Sequence, residues 1–217
     1  MIAVIERDYL TIVSGVPRSG TSMMMQMIHE GGIPALTDEH RKPDVDNPRG
    51  YFEFQPVKRT REAPGWIPGA VGKVVKMVHL LLLDLPLGHS YRVVLMRRNL
   101  EEVVRSQDVM LQRNGRSSKD LSQEQLIAVY RSQMEKVKHH MRSNAMSFRF
   151  MEADYNQLLP NPGPGARQVS EFLDGLNVEK MLAVVEPALY RSRVVHRQDR
   201  LPGMHECQGP PVEHPPS

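Results

Sequence analysis

Gly15-Val16-Pro17-Arg18-Ser19-Gly20-Thr21-Ser22 is the stretch whose residue types and spacing suit chemistry on an anion. It lies between an apolar run and a methionine-rich helix pattern. Its glycines allow a tight reversal of the chain. In a strand–loop–helix setting, such a loop turns backbone N–H groups inward, and the following helix adds the positive end of its dipole. Ser19, Thr21 and Ser22 supply hydroxyl donors and Arg18 a guanidinium. The loop of nucleotide hydrolases carries Lys and then Ser or Thr after its second glycine. Here Thr21 and Ser22 follow Gly20 directly, and the loop's cation is Arg18. That speaks against an ATPase or GTPase of the usual kind.

A second cationic stretch is Arg97-Arg98-Asn99-Leu100-Glu101-Glu102-Val103-Val104-Arg105-Ser106. A guanidinium can grip two oxygens of a phosphate dianion, and a helix hydroxyl can cap a third. Taken alone, Arg98 reads as a surface arginine paired with Glu101 or Glu102, and Ser106 as a neutral helix position. Lys76, at the end of an apolar run, reads equally well as a solvated lysine.

These groups need elements to position them. Tyr9–Ser14, Lys73–Val78 and Tyr91–Met96 are β-branched apolar runs that read as buried strands, and Ser147–Met151 alternates like a fourth. Helix patterns run through Met23, Met24, Met27 and Ile28, then over about 100–112, 122–142, 166–173 and 178–185. Gly31 and Gly32 supply a stop for the first. Residues 34–70 carry many Pro, Gly and charged residues with little periodicity, which predicts a long binding excursion. Strands alternating with helices predict an α/β, P-loop-type three-layer domain, with a central parallel sheet of about four or five strands flanked by helices. In such sheets ligands bind beyond the carboxyl ends of the strands, where the Gly15–Ser22 loop falls.

The segment Pro17-Arg18-Ser19-Gly20-Thr21-Ser22 resembles the 5′-phosphosulfate loop of the sulfotransferase superfamily, in the arginine-containing form of tyrosylprotein sulfotransferases. The resemblance implies that these six residues hold the 5′ end of the sulfate donor PAPS (3′-phosphoadenosine 5′-phosphosulfate). The family's 3′-phosphate motif places an arginine at a strand end and a serine eight positions later, as Arg98 and Ser106 stand here. Asn47-Pro48-Arg49-Gly50-Tyr51-Phe52-Glu53 resembles a segment of bacterial sulfotransferase-like proteins. So does the stretch from Arg167 to Arg193, which ends in Pro187-Ala188-Leu189-Tyr190-Arg191-Ser192-Arg193.

By the same resemblance, sulfuryl transfer needs a cation at the leaving oxygen and a base for the acceptor's proton. Lys76 and Arg18 are the candidate cations. Glu39 is the first candidate base, because tyrosylprotein sulfotransferases use a glutamate shortly after the loop, and Glu53 is the second. His79 is the third, in a Lys-Met-Val-His stretch loosely similar to the lysine–histidine neighbourhood of cytosolic members. Two rival readings keep the loop and change the function: a small-molecule kinase using ATP, and a non-catalytic PAPS-binding protein. The acceptor is a hydroxyl- or amine-bearing molecule of unspecified class. Tyr51, Phe52 and Trp66 in the long excursion and the helix over 122–142 are expected to shape its pocket.

The bulk properties fit. The chain has 217 residues, 40% hydrophobic and 24% charged, enough for one domain with a substantial core. A net charge of +3 is too slight to point to nucleic acid. The single cysteine, Cys207, excludes an intrachain disulfide and suits a reducing, cytoplasmic setting. No signal peptide is expected, since Glu6, Arg7 and Asp8 interrupt the first apolar run. The apolar stretch 77–87 is well short of the ~20 residues of a membrane span. The histidines form no metal-binding pattern, and none is required. Residues 1–200 are expected to form one domain, and 201–217 a Pro-rich disordered tail.

Overall fold

The computed structural model describes residues 7–38, 52–113 and 121–186. The expected tail, the Asn47–Tyr51 part of the Asn-Pro-Arg-Gly segment and the Pro187–Arg193 run lie outside them.

Four strands, β1 (Leu10–Gly15), β2 (Val74–Val78), β3 (Tyr91–Arg97) and β4 (Phe148–Asp154), form one sheet in the order β2-β1-β3-β4. Every pairing is parallel. All six residues of β1 are buried, as a central strand covered on both faces requires. Alternate side chains of the strands enter two separate cores. Val13, Val74, Val94 and Met96 pack with Met24, Met27 and Ile28 of helix α1 (Thr21–Glu30). That core is completed by Val169 of α5 (Pro162–Phe172) and Met181 of α6 (Val178–Ala183). On the opposite face, Ile12, Val75, Met77, Val93 and Leu95 pack with Val137 and Met141 of α3 (Gln123–Ser143), and with Val57, Ile67 and Leu82. The result is the expected three-layer α/β domain. Each fully buried aliphatic side chain contributes about 1.5–3 kcal/mol of burial to hold the layers.

Two further α-helices are α2 (Leu100–Arg113), which leaves β3, and the single-turn α4 (Tyr155–Leu158), which leaves β4; a 3-10 helix over His79–Asp84 follows β2. The 34–70 excursion carries regular structure at its described ends. Leu36 N donates to Val74 O and Val74 N to Pro34 O, so the chain runs beside the β2 edge. Residues 55–70 form three short 3-10 helices with Pro in the first turn of each.

The chain leaves β1 toward β2 on one side and reaches β3 on the other, so the strand order reverses beside β1. The crevice beyond the strand ends opens at that switch point. The loop after β1 and the Arg98 stretch after β3 both enter it.

Candidate active site

The loop is tightly packed at its base. A Cβ on Gly15 would sit 2.5 Å from Ser19 Oγ and 2.9 Å from the Met96 carbonyl at the end of β3. Ser19 N donates to Val16 O at 3.2 Å, closing a turn. Arg18 is left-handed with φ 71°, uncommon for a residue with a side chain. Gly20, at φ 94°, is the N-cap of α1; no side chain caps that helix and no acid stands in its first turn. Ser19 Oγ is buried without a hydrogen-bond partner. The uncapped helix start and the buried hydroxyl leave unused donors within one short loop. That arrangement fits a tetrahedral anion such as a phosphate or sulfate.

Arg98 reaches this loop from β3. Its Nε donates to Glu102 Oε2 at 3.1 Å and its Nη1 to the Arg18 carbonyl at 3.0 Å. The guanidinium lies 4.7 Å from the Tyr155 ring centroid, a cation–π distance. Arg98 is therefore not the surface arginine that its neighbouring acids suggested. The Arg98 and Glu102 side chains are 7% and 3% exposed. Arg97 is the surface arginine of the two, paired with Glu152 at 3.3 Å. Across the loop, Arg18 Nε donates to Ser106 Oγ at 3.0 Å, and Gln107 Nε2 donates to the Pro17 carbonyl at 3.2 Å. Helix α2 thus grips the loop at two consecutive residues.

β2 adds Lys76, whose Nζ lies 3.4 Å from Ser22 Oγ. His79 follows β2 directly and is buried. Its Nε2 shares a 2.8 Å hydrogen bond with Gln133 Oε1 of α3, and its ring meets Tyr130 edge-on at 6.4 Å. Tyr130 Oη in turn donates to Gln107 Oε1 at 2.8 Å. Burial lowers the pKa of His79 from its ordinary 6.5; the Gln133 hydrogen bond and the nearby Gly15 backbone oppose that shift. The ring is therefore neutral at pH 7, the form in which a histidine accepts a proton.

A lowered folded pKa means that the unfolded chain takes up a proton first as the pH falls. The contribution of His79 to stability is complete above about pH 6.5 and is lost as the pH drops toward its folded value. His79→Gln, which keeps a polar partner for Gln133, is expected to show a smaller fall in melting temperature between pH 7.5 and pH 5 than wild type. Equal falls in a calorimetric scan would mean that His79 does not titrate with unfolding.

The structure thus brings Pro17, Arg18, Ser19, Gly20, Thr21, Ser22, Lys76, His79, Arg98 and Ser106 to one end of the sheet. Glu53 is half-buried, and its main-chain carbonyl accepts from Thr37 Oγ1 at 3.0 Å and Asp38 N at 3.1 Å. Glu39 lies outside the described residues. Tyr155, Asn156, Gln107, Tyr130 and Gln133 also belong to the site but carry no local motif. Among the described residues, no group of three or more His, Cys, Asp or Glu side chains is placed to hold a metal ion, and no helix is long and apolar enough to cross a membrane. A cleft lined by Leu87, His89 and Met146 opens at the opposite ends of β3 and β4, away from these residues.

No protein-family model and no curated protein matches this chain. Among solved structures, the sulfotransferase domain of the Synechococcus PCC 7002 olefin synthase aligns over 93% of this chain and 92% of its own, at 12% identity and a TM-score of 0.51. The sulfotransferase domain of the curacin biosynthetic pathway aligns over 82% and 78%, at 14% identity and a TM-score of 0.48. A sulfotransferase from Mycobacterium tuberculosis H37Rv aligns over 82% and 71%, at 13% identity and a TM-score of 0.49. On the olefin synthase match, which spans nearly the whole of both chains, the protein has the sulfotransferase fold.

Proposed function

We propose that this protein transfers the sulfuryl group of PAPS to a hydroxyl or amine of an acceptor, releasing adenosine 3′,5′-bisphosphate. The observation that carries the reading is the loop itself. It combines an uncapped helix start, a buried Ser19 hydroxyl without a partner and a left-handed Arg18, in the loop that follows β1 at the switch of the sheet. The cation of that loop is an arginine, and no lysine follows Gly20.

In this reading Pro17–Ser22 hold the 5′-phosphosulfate. Arg98 and Ser106, joined through Arg18, stand toward the 3′-phosphate. The acceptor oxygen or nitrogen attacks sulfur as the bond from sulfur to the 5′-phosphate oxygen breaks. The electron pair stays on that oxygen, where Lys76 or Arg18 offsets the charge. The acceptor's proton passes to a base. Among the described candidates, His79 is neutral at pH 7 and adjoins the loop, and Glu53 is the carboxylate alternative; Glu39 remains a further candidate from the sequence. The lone Cys207 is consistent with work in a reducing compartment.

The test is calorimetric titration with adenosine 3′,5′-bisphosphate in the presence of a chelator. Wild type is expected to bind without metal, and Arg18→Ala to bind at least about tenfold more weakly, the loss of one charge-assisted contact. No binding by wild type, together with thermal stabilisation by ATP and Mg²⁺, would transfer the site to a small-molecule kinase.

A further inference from the structure

We infer that Asn156, acting through Glu102 and Arg98, is a positioning residue that holds the phosphate loop in its ligand-binding shape. The inference rests on the nucleotide-sulfate reading of that loop and adds to it an element, α4, that no motif marks.

The chain of contacts is continuous. Asp154 Oδ1 accepts from Asn156 N at 2.8 Å and fixes the start of α4. The Asn156 side chain then works in both directions. Its Oδ1 accepts from Asn99 N at 2.9 Å, where β3 passes into α2. Its Nδ2 donates to Glu102 Oε2 at 3.1 Å. That same oxygen receives Arg98 Nε at 3.1 Å. Arg98 Nη1 carries the chain on to the Arg18 carbonyl at 3.0 Å. Arg18 is the loop's left-handed residue that carries a side chain, and a carbonyl held from outside keeps such a residue from relaxing.

The amide of Asn156 accepts from a main-chain N–H through its oxygen and donates to a carboxylate through its nitrogen, so two separate atoms serve the two partners. Glu102 and Arg98 are almost wholly buried, so a change in their geometry is not absorbed by water. The Tyr155 ring lies beside Arg98, so α4 places one residue against the guanidinium and the next against its counter-ion.

Asn156→Asp keeps the acceptor for Asn99 N and sets a second carboxylate against Glu102. Two readouts are taken: hydrogen exchange of the Val16–Ser22 amides without ligand, and calorimetric affinity for adenosine 3′,5′-bisphosphate. Asn156→Asp is expected to speed loop exchange and to weaken affinity, each by about tenfold. The double variant Glu102→Gln/Asn156→Asp restores one amide and one carboxylate with their places exchanged. It is expected to return both readouts to within about threefold of wild type, the scatter of such couplings. A purely structural role for Asn156 predicts no such recovery. Wild-type exchange in Asn156→Asp, or a double variant no better than the single, overturns the inference. If Asn156→Asp does not fold, Asn156→Ser, shorter and uncharged, carries the same expectation for the same readouts. Failure of wild type to bind the nucleotide removes the proposed function, while the exchange data still decide whether Asn156 holds the loop.

Discussion

Gly20→Ala is expected to abolish measurable binding of adenosine 3′,5′-bisphosphate, a loss of at least about 100-fold, and to lower stability by about 2–5 kcal/mol. Two costs add. Gly20 sits at φ 94°, a left-handed conformation that costs an ordinary residue about 1–2 kcal/mol. Its new Cβ would stand 2.2 Å from Tyr155 Cδ2 and 2.8 Å from Cε2, so an aromatic ring must move. Overpacking of that kind costs typically about 1–3 kcal/mol. The larger effect on binding follows from what the ring supports. Tyr155 lies against Arg98, and Arg98 holds the Arg18 carbonyl. Gly32→Ala separates the two costs. Gly32 is also left-handed, at φ 119°, but a Cβ there meets nothing within 4 Å. It is expected to lose about 1–2 kcal/mol of stability and none of the affinity. Calorimetry and thermal melts on both variants give the answer. If Gly20→Ala binds as Gly32→Ala does, the packing of Tyr155 beneath the loop has no bearing on the ligand.

β1 and β3 are legible because a strand buried on both faces is largely apolar, as the runs Tyr9–Ser14 and Tyr91–Met96 are; β1 itself is shifted by one residue, to Leu10–Gly15. Helix α3 begins at a capping box, Ser122 with Gln125, so its start is written locally. The Gly15–Ser22 loop is legible for the same reason: its residues stand together in one short turn of chain.

Arg98 is the intermediate case. Its position at a strand end and its spacing from Ser106 place it near the loop. Its grip on the Arg18 carbonyl depends on β1 and β3 lying side by side, a pairing between residues 80 positions apart. Tyr155 and Asn156 were invisible. They reach Arg98 and Glu102 only because β4 pairs with β3 in a register that sets Asp154 beside Arg97. Gln107, Tyr130 and Gln133 form a comparable set, joining α2 and α3 to the loop and to His79 through single hydrogen bonds. Polar residues of this kind resemble solvated helix positions until the partner helix is placed. The short helix α4 was also missed, since four residues carry no periodicity to detect.

Lys76→Met is expected to lower the rate of sulfuryl transfer by about 10²–10³-fold while leaving affinity for adenosine 3′,5′-bisphosphate within about tenfold of wild type. The ammonium of half-buried Lys76 stands 3.4 Å from Ser22 Oγ, in the first turn of α1, and its stem leaves the middle of β2 between buried Val75 and Met77. A cation held there meets little charge in the ground state that Arg18 and the helix start do not already meet. On the proposed reaction it meets more as the bond from sulfur breaks and the electron pair gathers on the 5′-phosphate oxygen. An interaction that strengthens only at that moment raises kcat rather than affinity. Methionine preserves the length of the stem and removes the charge, so packing around Val75 and Met77 is kept. The rate is read as adenosine 3′,5′-bisphosphate released from PAPS in a single turnover, with an acceptor found by screening phenols, sugars and alcohols. Lys76→Arg should recover part of it, because the charge returns at a different reach. Equal losses in rate and affinity would make Lys76 a binding group that acts on donor and transition state alike. Unchanged rate and affinity would leave Lys76 as a half-buried lysine in the middle of β2 with no part in the reaction, contrary to the strand-end position its sequence suggests, and would leave Arg18 as the cation that faces the leaving oxygen.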